Sequence, residues 1–301
     1  METYLAVDLG GSKYMLAVID ETGRILSKKR GVWETLSRET VLSAVIEGSR
    51  AILEETGARP VACGITIPGL ADPESGTWVE ASFSGIRDFP ICREVSGALG
   101  IPAFCDNDGQ AYALGEMIFG CCRDTSDFIF MNVSNGIGGA AVSGGKLLTG
   151  LRNFAGEFGH CNAVPDGRPC KCGQRGCLEM YSSGPAIART YAEKGGTEGT
   201  DCRTAAEMAR RGDPAALAAF EEAGMYMGRV LAVAVNILNP QRIVLGGGVS
   251  LAFDLFFPAL KKSLDEGIYE YANRGLEVIP TPLGYDAGLY GAAAIAVTNR
   301  R

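Results

Sequence analysis

The sequence predicts a duplicated α/β protein: two halves, each a strand meander with covering helices, facing each other across a cleft. Three observations predict it. The 301 residues suffice for two domains at roughly 150 residues each. A pattern of strand, glycine turn, strand, glycine turn, strand opens the chain and returns from Phe128. After each copy, helical stretches alternate with short apolar strands.

In the first half, Tyr4 to Val7 is an apolar strand ending at Asp8, followed by the turn LGGSK. Tyr14 to Ile19 is the second strand, 21–23 a turn, and Arg24 to Ser27 the third strand. Ser37 to Glu55 fits a helix, and Val61 to Ile67 a buried strand that ends in Pro68–Gly69. Pro102 to Cys105 is a strand leading into Asp106–Asn107–Asp108, and Gly109 to Phe119 a helix. In the second half, Phe128 to Val133, Ala140 to Ser143 and Lys146 to Leu148 repeat the meander, with the turn SNGIGG after the first strand. Met225 to Leu238 is an apolar helix stopped by Asn239–Pro240, and Gln241 to Leu245 a strand entering Gly246–Gly247–Gly248. Gly288 to Val297 is an alanine-rich closing helix. With no low-complexity linker, the pattern places the boundary near 117. Residues 1–117 form the first domain, completed by a C-terminal helix at 287–301, and 118–286 form the second.

Composition excludes several function classes. Apolar residues make up 47% and charged residues 21% of the chain, as in ordinary globular proteins. The net charge is −7 with no long Lys/Arg run, which argues against a nucleic-acid partner. No apolar run approaches the ~18 residues that a membrane span needs. The opening METYLAVDLGGSK goes straight into a strand without the parts of a secretory signal. Ten cysteines in that context imply reduced thiols and metal ligands in the cytoplasm.

The densest chemistry lies at 157–179. His160, the sole histidine, precedes Cys170, Cys172 and Cys177 among closely spaced glycines. Three thiolates and one imidazole form a tetrahedral set suited to structural zinc, with no position open to substrate. Glu157 and Glu179 bracket the cluster. Carboxylates accept hydrogen bonds from polyol hydroxyls, and an imidazole bound to zinc through one nitrogen still offers the other. Glu157 and His160, three residues apart, share a face if the segment is helical.

The glycine turns suit a nucleotide. Bare backbone N–H groups make concave anion sites. In the first turn, Gly10, Gly11, Ser12 and Lys13 would meet phosphate oxygens, and Asp8 a hydrated Mg²⁺. The turn opens a strand, so it is neither a Walker loop nor a dinucleotide fingerprint. Ser134, Asn135, Gly136 and Gly138 form a second phosphate contact, and Gly247 and Gly248 admit a flat base, which points to ATP. Asp108, at a strand-to-helix junction, can take the proton of an attacking hydroxyl. An aspartate of ordinary pKa, about 3.9, is a weak ground-state base, so it would orient the hydroxyl and accept the proton late. Its bland alternative is a helix N-cap, a role that Asp106 can fill instead.

The motifs DLGGSK, IPG at 67–69, DND at 106–108, SNGIGG at 134–139, AGEFGH at 155–160, CKCGQRGCLE at 170–179, LNP at 238–240, LGGGVS at 245–250 and the closing AGLYGAA occur in the order of a known family. The chain resembles the ROK family of repressors, open reading frames and sugar kinases, within the superfamily of actin, heat-shock chaperones and sugar kinases. The resemblance implies duplicated ribonuclease H-like (actin-like ATPase) domains flanking a nucleotide and sugar cleft. It implies an ATP-dependent hexose kinase with Asp108 as base. It further implies Gly69, Asn107, Glu157, His160 and Glu179 at the sugar, zinc on His160, Cys170, Cys172 and Cys177, and a homodimer or homotetramer. The family's repressors carry a helix-turn-helix domain before this core, whereas this sequence begins at the first strand. Family kinases usually place an Asn-Leu pair at the sugar, where this chain reads Ala81-Ser82-Phe83. Ser82 stands where the asparagine is expected and lacks its amide donor. Asn135 replaces a common threonine. The alternative reading is a non-catalytic sugar sensor that works through a protein partner.

Overall fold

The computed structural model describes residues 1–81 and 84–300. Ser82, expected at the sugar, lies outside the described residues. The chain divides into two compact units, one of Met1–Asp124, Thr149–Ala155 and Tyr285–Arg301, the other of Thr125–Leu148 and Gly156–Gly284. The units therefore part at Asp124 rather than near 117, and residues 149–155 join the first.

In the first unit, β1 (Thr3–Leu9), β2 (Lys13–Asp20) and β3 (Ile25–Val32) form the expected meander. Helix α1 (Arg38–Thr56) follows, begun by a capping box of Ser37 with Thr40 and ended by left-handed Gly57. Next come β4 (Ala62–Ile67), β5 (Leu70–Asp72), β6 (Thr77–Ala81), β7 (Ile86–Phe89), α2 (Ile91–Leu99), β8 (Ala103–Asn107) and α3 (Asp108–Ile118). The main sheet runs β3-β2-β1-β4-β8, antiparallel through β1 and parallel beyond it. The short strands β5, β6 and β7 pair antiparallel in a sheet of their own.

The second unit repeats this plan. Strands β9 (Phe128–Val133), β10 (Ile137–Ser143) and β11 (Lys146–Leu147) are followed by α4 (Glu179–Ser182), α5 (Gly184–Glu193), α6 (Cys202–Arg210) and α7 (Pro214–Leu238). Then come β12 (Arg242–Gly246), α8 (Phe253–Gly267) and β13 (Glu277–Pro280), before α9 (Ala287–Asn299) returns to the first unit. The sheet order β11-β10-β9-β12-β13 reproduces the first sheet strand for strand, with the same change from antiparallel to parallel pairing at its centre. Helix α7 begins eleven residues before the expected Met225: Asp213 caps it and Pro214 occupies its first position. Its first turns carry the sparser apolar stripe of a half-exposed helix, whereas Met225 to Leu238 is nearly all apolar.

Both faces of the first sheet are covered, which explains why β1 is apolar almost throughout. Leu5, Val7, Leu16 and Val18 pack with Val41, Val45 and Ile52 of α1. On the other face Ala6, Ala17 and Ile19 meet Leu289, Ala292 and Ala293 of α9. The small residues there allow backbone approach. A Cβ on Gly64 of β4 would lie 1.8 Å from the Ala292 carbonyl oxygen, so only glycine fits. In the second unit Phe220, Met227 and Leu231 of α7 share a core with Phe256 and Leu260 of α8 and with Ile129, Met131 and Ile243 of the sheet. Among the described residues, no helix is long and apolar enough to cross a membrane.

Candidate active site

In the first unit, the turn after β1 is closed by Gly10 N–H donating to the Lys13 carbonyl at 2.9 Å. Trp33 Nε1 donates to the Gly10 carbonyl at 2.8 Å, and Gly11 and Ser12 remain exposed. The Lys13 ammonium hydrogen-bonds the Tyr285 hydroxyl and lies 4.3 Å from the centre of that ring. Asp8 follows the buried run Tyr4–Val7 of β1 and is itself only partly buried. Thr66 Oγ1 donates to Asp8 Oδ1 at 2.6 Å, and the Tyr112 hydroxyl donates to the same oxygen at 3.2 Å. Burial raises the Asp8 pKa, and these two donors with the Lys13 charge pull it back. The Tyr112 phenol is pushed well above its usual range by burial and by the Asp8 and Asp108 carboxylates. Neither Thr66 nor Tyr112 was marked by the sequence motifs, because their partner lies 58 and 104 residues away along the chain.

The DND run bridges β8 and α3. Asn107, not Asp106, is the N-cap: its Oδ1 accepts the Gly109 N–H at 2.9 Å. Asp106 is turned inward, where its Oδ1 accepts from Asn107 N–H at 2.7 Å and from Asn153 Nδ2 at 2.8 Å. The cap therefore falls to the residue whose side chain faces the helix end. Asn107 Nδ2 also donates to the Gly69 carbonyl at 2.6 Å, which brings two expected sugar contacts together. Gly69 needs to be glycine: its φ is 103°, and a Cβ would sit 2.4 Å from the Glu80 carbonyl oxygen. Asp108 is the first residue of α3, with Oδ1 accepting the Gly109 N–H at 2.8 Å.

In the second unit, the loop from Cys161 to Leu178 folds into a knuckle. Antiparallel bridges join Asn162 to Cys177 and Pro169 to Arg175, and Cys170 N–H donates to the Gln174 carbonyl at 2.9 Å. Arg168 anchors it from below, donating Nη1 to the Met180 carbonyl at 2.8 Å with its guanidinium over the Tyr181 ring. The ligand atoms of His160, Cys170, Cys172 and Cys177 all lie within 4.8 Å of one another. Cys172 Sγ and Cys177 Sγ are 3.6 Å apart, and Cys170 Sγ is 3.8 Å from His160 Nδ1. A zinc tetrahedron with Zn–S of about 2.3 Å and Zn–N of about 2.0 Å has S–S edges of about 3.8 Å and S–N edges of about 3.5 Å. The residues fit that ion. Burial and the adjacent Cys172 and Cys170 thiols push the Cys177 thiol up to about 12, so a cation is what would let the cluster hold thiolates together.

Because Nδ1 faces the sulfurs, His160 Nε2 faces outward, 3.9 Å from Glu157 Oε2. Glu157 precedes a single 3-10 turn, Phe158–His160, that ends at His160, so the pair does not lie on an α-helix. Burial raises the Glu157 pKa, the His160 charge lowers it, and the Glu179 charge raises it again. Glu179 begins α4 two residues past Cys177, and its Oε2 accepts the Ile137 N–H at 2.9 Å. The glycine turn is shorter than expected, since Ile137 to Gly139 already belong to β10. Ser134 N–H donates to the Gly136 carbonyl and the Ser134 carbonyl accepts from Gly184 N–H, each at 2.8 Å. Asn135 is exposed, and Gly138 has open space where a Cβ would stand. After β12, Gly247 adopts φ 85° against the Val133 carbonyl and Asn132 Oδ1, while the position of a Gly248 Cβ is open.

Residues 4–299 match the ROK family along their whole length. The chain belongs to the ROK family. The glucokinase of Thermotoga maritima is 33% identical over 97% of this chain and 96% of that protein. A ROK glucokinase of Streptomyces griseus, solved with glucose and AMPPNP, superposes with a TM-score of 0.85 at 30% identity, covering 99% of this chain and 100% of that one. A ROK transcriptional regulator, a homologue of the E. coli MLC protein, superposes with a TM-score of 0.89 at 26% identity, covering 97% of this chain and 77% of that one. The fold is thus the duplicated actin-like ATPase fold of the ROK kinases, which the two matching sheet orders display directly.

Proposed function

We propose that this protein is an ATP-dependent sugar kinase that transfers a phosphoryl group to a hexose or hexose derivative at its 6-hydroxyl. The observation that carries the reading is the group formed by Glu157, His160 and Glu179 around the cysteine knuckle. His160 Nδ1 stands 3.8 Å from Cys170 Sγ, which leaves Nε2 beside Glu157 as a hydroxyl donor or acceptor. A flexible imidazole would lose entropy on binding a sugar; one fixed from behind loses little. Zinc held by His160, Cys170, Cys172 and Cys177 would lock this loop and take no part in the reaction. The similarity to two glucokinases points to the same acceptor class.

Phosphoryl transfer asks a protein mainly for positioning and charge stabilisation. Glu157, His160, Glu179, Gly69 and Asn107 would hold the sugar, and Asp108 would orient the acceptor hydroxyl and take its proton as the P–O bond forms. Gly10 to Lys13 and Ser134 to Gly138 would meet the phosphates, with Gly247 and Gly248 against the base. Asp8, a carboxylate kept in place by Thr66 and Tyr112, would hold a hydrated Mg²⁺, whose charge offsets that of the phosphates.

A coupled ADP-release assay with Mg-ATP against hexoses and N-acetylhexosamines tests this. Turnover on one sugar is expected, with Asp108→Ala lowering kcat on the order of 10²- to 10⁴-fold. Sugar affinity measured by calorimetry should stay close to that of the unaltered protein. The resemblance to a ROK regulator favours a second reading, a sugar sensor; sugar binding with no ADP release on any sugar would establish it instead.

A further inference from the structure

Asn153 is held by both its side chain and its backbone. Its Nδ2 donates to Asp106 Oδ1 at 2.8 Å, and its carbonyl accepts from Gln110 Nε2 at 2.7 Å. Both partners are buried, Asp106 at 8% exposure and Gln110 at 1%. Asn153 itself has φ 63°, a left-handed conformation that asparagine tolerates better than most residues. It lies within Thr149–Ala155, the short stretch that belongs to the first unit although the chain on either side belongs to the second.

The same Asp106 oxygen accepts the Asn107 N–H at 2.7 Å, and Asn107 Nδ2 reaches the Gly69 carbonyl at 2.6 Å. Residues 106, 107 and 110 are thus each tied by a side chain to a distant part of the first unit. Asp108 stands inside that frame. A hydrogen bond accepted by a buried carboxylate is stronger than one in water, and leaving such a group short of donors is costly. Removal of the Asn153 amide would therefore reorient Asp106, and with it the Asn107 backbone that leads into Asp108.

We propose that Asn153 is a positioning residue for phosphoryl transfer, fastening residues 149–155 to the end of β8 so that Asn107 and Asp108 keep their stance. This rests on the sugar-kinase reading. The test uses Asn153→Gly, which keeps the left-handed backbone accessible and removes only the amide, and the reciprocal pair Asp106→Asn with Asn153→Asp. In that pair the new amide donates to the new carboxylate while its carbonyl oxygen still accepts the Asn107 N–H. Asn153→Gly is expected to lower kcat by roughly ten- to a hundredfold, the cost of a small misplacement of a reacting group. The KM for ATP should change less than about twofold, while the calorimetric Kd for the sugar that turns over rises by less than the loss in kcat, because Asn107 shares the frame. The reciprocal pair should recover most of the lost kcat. An unchanged kcat in Asn153→Gly, or a loss that the pair leaves in place, overturns the proposal. Absence of turnover by the unaltered chain on every sugar would defeat the kinase reading instead. Hydrogen exchange then decides the positioning role: faster exchange at the amides of 107–110 in Asn153→Gly supports it, and unchanged exchange overturns it.

Discussion

Glu179 Oε2 accepts the backbone N–H of Ile137 at 2.9 Å, so the residue that directly follows the cysteine knuckle also holds the end of a glycine turn. Leu178 alone separates Glu179 from Cys177. The turn proposed for phosphate and the loop proposed for sugar are thereby joined through one carboxylate.

Gly136→Ala probes that joint. A Cβ at Gly136 would lie 2.6 Å from Glu179 Oε2, and the outer end of a glutamate can yield where backbone cannot. The variant should fold with a near-normal melting temperature while the Ile137 bond is lost. Loss of a charge-assisted hydrogen bond of ~1.5 kcal/mol or more corresponds to a rise of about tenfold in the KM for ATP, the sugar KM, or both. Steady-state kinetics with each substrate varied will show it; unchanged constants would sever the proposed link.

One equivalent of zinc per chain is expected by elemental analysis. Its removal by a strong chelator should lower the melting temperature on the order of 10 °C, because metal binding to a loop of this kind is folding energy. Cys172→Ser should do the same without chelator. A chain that purifies metal-free and melts unchanged would leave the cysteines as plain core and surface residues.

The raised Glu157 pKa sets a pH dependence. For a carboxyl whose folded-state pKa is raised, the stabilising contribution is complete below its unfolded value and is lost as pH rises through the folded value. The Glu157 side chain is half-exposed, so at neutral pH the cost of its ionisation to the apo fold is small. Glu157→Gln is expected to leave the melting temperature at pH 7 equal to or slightly above that of the parent while weakening sugar binding about ten- to a hundredfold. In the unaltered protein, sugar affinity should decline at a pH above that of an ordinary glutamate. Glu179→Gln should move that decline to lower pH, since the Glu179 charge is one of its causes.

Gly288→Ala tests the seat of Asp8. The new methyl would lie 2.3 Å from Asp8 Cγ, and Asp8 is a short side chain on a central strand, fixed by Thr66 and Tyr112. Overpacking of this sort costs ~1–3 kcal/mol. Urea denaturation should show that loss, together with a higher Mg²⁺ requirement in the kinase assay; a variant as stable as the parent would mean that Asp8 has room to move.

Local signals made much of this legible from the sequence. The meanders, the glycine turns, the Asp106–Asn107–Asp108 junction and the cysteine knuckle are written in runs of a few residues, where backbone conformation and metal spacing are local properties. The small sheet β5-β6-β7 was not foreseen. Its strands are short, as in Ile86–Phe89, which reads Ile-Arg-Asp-Phe, and too brief to show a period. The donors that fix the site were also hidden. Asn153 lies 47 residues from Asp106, and Tyr112 lies 104 from Asp8; only the fold brings them within reach. The true cap at Asn107 depends on which way a single carboxylate turns, and adjacent Asp and Asn residues compete equally for that role in sequence.

Helix α9 supplies one face of the core around β1 and β4, with its Ala292 carbonyl seated on Gly64. On the ribosome, the strands of the first sheet must therefore wait for a helix made only after the whole second unit. The second unit, whose segments are synthesised before α9, has all its parts in hand earlier. Until α9 docks, the alanine and glycine face of the first sheet is an open apolar surface, and this interval of synthesis is when the nascent chain is most exposed to misassembly and to capture by chaperones.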